Sequence, residues 1–65
     1  MNYPEMLEEL GIVRQEFRLS NGNVVSFDSE EAEYTTGDWY FFKRYDGTHV
    51  SINAAHVVSV IGFTA

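Results

Sequence analysis

The apolar positions change period along the chain, and each change marks an element. Tyr3, Met6, Leu7 and Leu10 recur at the three- and four-residue spacing of one helix face, which leaves Glu5, Glu8 and Glu9 toward water. That spacing predicts a helix over residues 4–10. Asn2 with Glu5 three positions on resembles a capping box, Pro4 suits the first turn, and Gly11 supplies the stop. Two turns do not stand alone in water, so this helix must dock on a larger body. After Gly11 the period falls to two, with Val13, Gln15, Phe17 and Leu19 on one side of a strand and Arg14, Glu16 and Arg18 on the other.

Asn21-Gly22 follows that strand and predicts a type I′ hairpin turn into a second strand at residues 24–28. Residues 29–38 are polar and acidic and read as a loop. An aromatic strand over residues 39–45 then turns through Asp46-Gly47 into residues 48–53. Residues 54–56 make a short connector, and residues 57–63 form the last strand. In that strand Val58 and Val60 are placed inside, which leaves Val57, Ile61 and Phe63 on the other side. An antiparallel strand facing water alternates more cleanly, so this second apolar side is covered either by the helix or by another subunit. One helix followed by five strands, confined to residues 12–63 of a single domain spanning residues 1–65, is the order of a small antiparallel barrel.

Composition narrows the function more than the fold. The chain has 65 residues, 10 Asp and Glu against 4 Lys and Arg, a formal net charge of −6 and no cysteine. Chains of this length bury only about 60% of their unfolded surface. With no disulfide to compensate, self-association is the expected source of added stability. The acidic balance argues against wrapping duplex DNA or RNA and suits a basic protein partner. No run approaches the roughly 18 apolar residues of a membrane span, and the N-terminus lacks the form of a signal peptide, so the expected location is cytoplasmic.

Two strings carry a resemblance. Residues 19–24 (Leu-Ser-Asn-Gly-Asn-Val) resemble the first hairpin of the Sm-like family, Hfq type, and residues 53–61, entered through His56, resemble its last strand. The resemblance implies a mainly β fold with a short N-terminal helix and a five-stranded antiparallel Sm/SH3-like barrel. It also implies a six- or seven-membered ring, held by strand-to-strand addition, that binds single-stranded RNA near its pore. His56 matches the family's pore histidine, whereas Ala54 and Ala55 stand where a tyrosine and a lysine belong. Without that aromatic and that cation, stacking and phosphate pairing lose their physical basis at that place. The spacing of Val50, Ile52, Asn53, His56 and Val57 also resembles small accessory proteins of phages and mobile elements.

No residue stands in a recognisable nucleophile, phosphate-cradling or metal-ligating pattern, so no catalytic residue, cofactor or metal is expected. His49 and His56 are the only histidines, and they are not expected to converge. Half of the acidic residues, Asp28, Glu30, Glu31, Glu33 and Asp38, fall within residues 28–38 together with Tyr34. They form either a solvated loop or a presented surface for a basic protein partner, with Tyr34 as aromatic anchor. The aromatic strand places Trp39, Phe41, Lys43 and Tyr45 on one side and Tyr40, Phe42 and Arg44 on the other. Trp39, Tyr40 and Arg44, with His56, are the candidate nucleotide site at subunit boundaries. Val57, Ile61 and Phe63 are the candidate oligomer interface. The favoured expectation is a non-catalytic binding module, a small regulator or inhibitor of the phage type. The alternative is the nucleotide- or RNA-binding ring.

Overall fold

A computed structural model describes all 65 residues. The helix α1 (Tyr3–Glu9) precedes six strands: β1 (Ile12–Leu19), β2 (Val24–Asp28), β3 (Ala32–Thr35), β4 (Trp39–Lys43), β5 (His49–Asn53) and β6 (Val57–Thr64). Single 3-10 turns, Ser29–Glu31 and Ala54–His56, join β2 to β3 and β5 to β6.

Asn2 caps α1 as its spacing predicts. Its side-chain oxygen accepts from the Glu5 N–H at 2.9 Å, and its amide donates to the Glu5 carboxylate at 2.7 Å. The helix leaves through Gly11, whose φ of 72° lies in the left-handed region that glycine enters without steric cost. Both hairpin turns form, in a geometry other than type I′. Gly22 and Gly47 alone take positive φ there, while Asn21 and Asp46 do not. In each turn the glycine N–H returns to a carbonyl three residues back, Leu19 and Arg44 respectively. The Asn21 and Asp46 side chains each accept from the N–H two residues on. These are three-residue loops, a type I turn closed by a left-handed glycine.

The expected five-stranded barrel does not form. The strands make two separate three-stranded antiparallel sheets, ordered β2-β1-β6 and β3-β4-β5. Two features account for the difference. The segment expected to be a loop contains β3, paired with β4, so the chain has six strands. The two 3-10 turns then interrupt the ladder where β2 would run into β3 and β5 into β6, so each sheet keeps free edges.

Aromatic rings fill the space between the sheets. Phe27 of β2 and Phe42 of β4 stack with centroids 3.9 Å apart, and Phe17 of β1 meets Phe42 edge-on at 5.4 Å. Phe17, Phe27, Phe42 and Leu7 are the largest fully buried side chains, joined in the core by Tyr3, Ala32 and Ile52. Burying such a side chain contributes about 1.5–3 kcal/mol. Tyr3 keeps a polar handle within this core, because its hydroxyl donates to the Gln15 side chain.

The helix packs against β1, β3 and the Ser29–Glu31 turn. It therefore lies away from the outer side of β6, which keeps Ile61 uncovered. The faces of β6 also depart from simple alternation. A register shift between Arg18 and Leu19 inserts Val58 as an extra residue, so Val57 turns inward opposite Leu19 and Val58 is 70% exposed. Val60 shares the side of Phe17, its partner on β1, yet stays 38% exposed. No helix of the protein is long and apolar enough to cross a membrane.

Candidate binding face on the second sheet

A bulge builds the most distinctive surface of the molecule. Ala32 pairs with Phe42 on the core side, and strict alternation would send Tyr34 the same way. A register shift at Glu33 makes Tyr34 oppose Phe41 instead, and both rings point outward. Tyr34 and Phe41 stack with centroids 4.4 Å apart and planes 21° from parallel. Trp39, two residues before Phe41 on β4, continues the row at 6.4 Å and 33°. Tyr34 is 51% exposed and Trp39 39%, so the three rings form a stripe open to solvent on the outer side of β3 and β4. Cross-strand aromatic pairs contribute roughly 0.2–1 kcal/mol to a sheet. That accounts for pairing, and leaves the exposure of the remaining ring surface unexplained by folding.

Charged and polar groups frame the stripe. Glu33 sits beside Tyr34, and its carboxylate lies 3.2 Å from His49 Nδ1 on β5. Lys43 opposes His49 across β4 and β5, and Ser51 and Asn53 oppose Phe41 and Trp39. Asp38 is exposed in the turn that leads into Trp39, where the Thr36 hydroxyl accepts from the N–H groups of Asp38 and Trp39. Asp38 also fastens the turn to the rest of the molecule, since its carbonyl accepts from the Ala54 N–H at 2.7 Å.

The acidic run does not act as one surface. Glu31 is only 6% exposed, and its carboxylate accepts from the Asp28 N–H at 2.8 Å, so it ties off the Ser29–Glu31 turn. Asp28 accepts from the Tyr45 hydroxyl at 2.9 Å, and that bond holds the Tyr45 pKa up at about 12. Glu30 is exposed and Glu33 reaches across to β5. Of the candidate partner residues, Glu33, Tyr34 and Asp38 therefore belong with the aromatic stripe, whereas Asp28 and Glu31 are engaged within the fold.

The candidate nucleotide residues are also dispersed. Trp39 lies on the stripe, but Tyr40 points inward and meets Phe17 edge-on at 5.0 Å. The Arg44 guanidinium sits 4.6 Å over the Phe27 ring, a cation–π contact that occupies it. His56 is exposed in the β5–β6 connector, where it lines a cleft of about 410 Å³ with Ser20, Asn21 and Asn53. A second cleft of about 520 Å³ lies between Pro4, Glu8, Val13 and Glu30. No three His, Asp or Glu side chains come together in a group that could hold a metal ion.

No family model, curated protein or solved structure matches this chain. The resemblance to the Sm-like family rests on its two strings alone.

Of the candidate interface residues, Val57 packs against the core, and Phe63 lies 4.3 Å beneath the Arg14 guanidinium. Ile61 stays 38% exposed between them. The residue that sequence reasoning left out of any site is Phe41, which joins Tyr34 to Trp39. Its parity with Trp39 was visible, but its pairing with Tyr34 required β3.

Proposed function

We propose that this protein is a non-catalytic binding module that holds a basic segment of a protein partner on the outer face of the β3-β4-β5 sheet. The observation that carries this reading is the stripe of Tyr34, Phe41 and Trp39, a row of rings left open beside carboxylates. Aromatic faces attract Lys and Arg groups of a partner, and Glu33 and Asp38 provide charge of the complementary sign at the same face. The net charge of −6 favours a cationic occupant over a polyanion. Such a module acts by occupying its partner, which is how a small regulator or inhibitor works.

The test uses the single tryptophan as its own probe. Trp39 fluorescence is titrated with ten-residue Lys- and Arg-rich peptides, acidic peptides of the same length and single-stranded oligonucleotides. Saturable, salt-sensitive binding of the basic peptides, lost by calorimetry in Trp39→Ala and Tyr34→Ala, supports the reading. Binding of oligonucleotides alone would replace it with a base-stacking platform, and binding of neither probe would remove it.

A further inference from the structure

We infer that β6 is a self-association edge, on which two copies pair antiparallel about a two-fold axis through Ile61. The pairing would join the two β2-β1-β6 sheets into one continuous six-stranded sheet. β6 pairs only with β1, so its other edge presents a row of free backbone N–H and C=O groups. It is an eight-residue strand without a single charged residue or proline, in a chain that is 22% charged. The other edges are blunted. β3 is bulged at Glu33, β2 has five residues and ends in Asp28, and five-residue β5 has His49 held toward Glu33. Proteins protect exposed edges with charges, bulges or shortness, and β6 lacks all three along residues 59–63.

The sequence of that run is self-complementary. Residues 59–63 pair in regular register with β1, and Ile61 is their centre. An antiparallel pair centred on Ile61 sets Ser59 opposite Phe63 and Val60 opposite Gly62 of the other copy, a small residue facing a large one at each step. Gly62 has no side chain because that of Ile12 lies over it; a Cβ there would sit 2.9 Å from Ile12 Cδ1. Val60 of one copy therefore meets the Ile12 side chain of the other. Apart from the Arg14 guanidinium, which lies over Phe63, the nearest charges stand on β1 and its counterpart, three strand spacings apart, roughly 14 Å. That exceeds the screening length of about 8 Å at physiological salt, so the net negative charge does not oppose the contact.

The absence of cysteine makes the test direct. In an antiparallel pair, residues facing each other across the axis have Cα atoms about 4.5–5.5 Å apart, within the roughly 4.4–6.8 Å that a disulfide spans. Ile61→Cys should oxidise to a covalent dimer at least tenfold faster than Val24→Cys, a more exposed site on the far edge of the same sheet. The unaltered chain should show twice its 7.4 kDa mass by light scattering. Amides of residues 59–63 should exchange more slowly as concentration rises. A monomer at every concentration overturns the proposal, as does a dimer in which Ile61→Cys oxidises no faster than Val24→Cys. A mass of three or more copies overturns it too, because it requires two different edges to pair.

Discussion

Replacing Glu31 separates a fold-holding carboxylate from one that meets a partner. In Glu31→Ala the Asp28 N–H loses the acceptor it now has at 2.8 Å, in a part-buried setting. Leaving a buried donor unmatched costs about 1–3 kcal/mol. A domain of 65 residues has a total stability of roughly 3–10 kcal/mol, so the loss is a substantial fraction of it. For domains of this size each kcal/mol moves the melting midpoint by about 4–8 °C, which places the expected drop at roughly 4–24 °C. Glu31→Gln keeps a carbonyl oxygen in the same position and should recover most of the loss. Glu30→Ala, one residue away but exposed, should melt with the parent protein. Thermal unfolding followed by circular dichroism gives all three midpoints in one experiment. If Glu31→Ala and Glu30→Ala melt together, the Glu31 carboxylate does not hold the Ser29–Glu31 turn.

Three further outcomes follow from the core and the turns. Phe42→Ala removes the ring stacked 3.9 Å from Phe27 and should cost about 3–5 kcal/mol, enough to leave much of the chain unfolded by near-ultraviolet dichroism at room temperature. Gly47→Ala forces a side chain into φ 90° and should lose about 1–2 kcal/mol in a denaturant titration, while Gly37→Ala, which has no positive φ and open space around it, should be neutral. Burial raises the Tyr3 pKa from 10.0 to about 12, so folding favours the neutral phenol. The resulting stability is complete below pH 10 and is lost as pH rises through the 10–12 window, because the unfolded chain ionises first. Tyr3→Phe should accordingly show a smaller fall in denaturant midpoint than the parent between about pH 9 and about pH 11.5.

What the sequence made legible was the part governed by local periodicity and turn chemistry. The helix, its Asn2 cap, both hairpins and the connector at residues 54–56 follow from spacing and from Gly, Asn and Asp at turns. Two of the losses share a physical cause. A bulge adds a residue to one strand, and every parity argument beyond it inverts. The bulge at Glu33 hid β3, because Ala32 and Tyr34 then face opposite ways within a short acidic segment. The shift at Val58 exchanged Val57 with Val58. The missed barrel closure has another cause: of the two 3-10 turns that divide the sheets, the connector at residues 54–56 is legible, but Ser29–Glu31 reads as polar loop, its Asp28–Glu31 cap disguised as part of a charge run. Half of the acidic residues fall within residues 28–38, but density along the chain says nothing of direction. Glu31 turns inward while Glu33 stays at the face.

If both proposed surfaces are used, they should cooperate without touching. The aromatic stripe lies on the β3-β4-β5 sheet and the self-association edge on β2-β1-β6, so a dimer through β6 leaves both stripes free. Two identical sites on one particle raise apparent affinity for a partner with repeated basic segments by about 10²–10⁴-fold when both can engage, with no new contact at either stripe. Ile61→Lys places a charge at the centre of the edge and should yield a monomer. Its affinity for a single basic peptide in solution should equal the parent's, because Ile61 is remote from the stripe. On a surface densely coated with the same peptide, the parent should dissociate at least a hundredfold more slowly than the variant. Equal dissociation on the coated surface, with the parent shown to be dimeric, would mean that the two stripes cannot engage together. Weakened binding of the variant in solution would mean that β6 and the stripe are not independent.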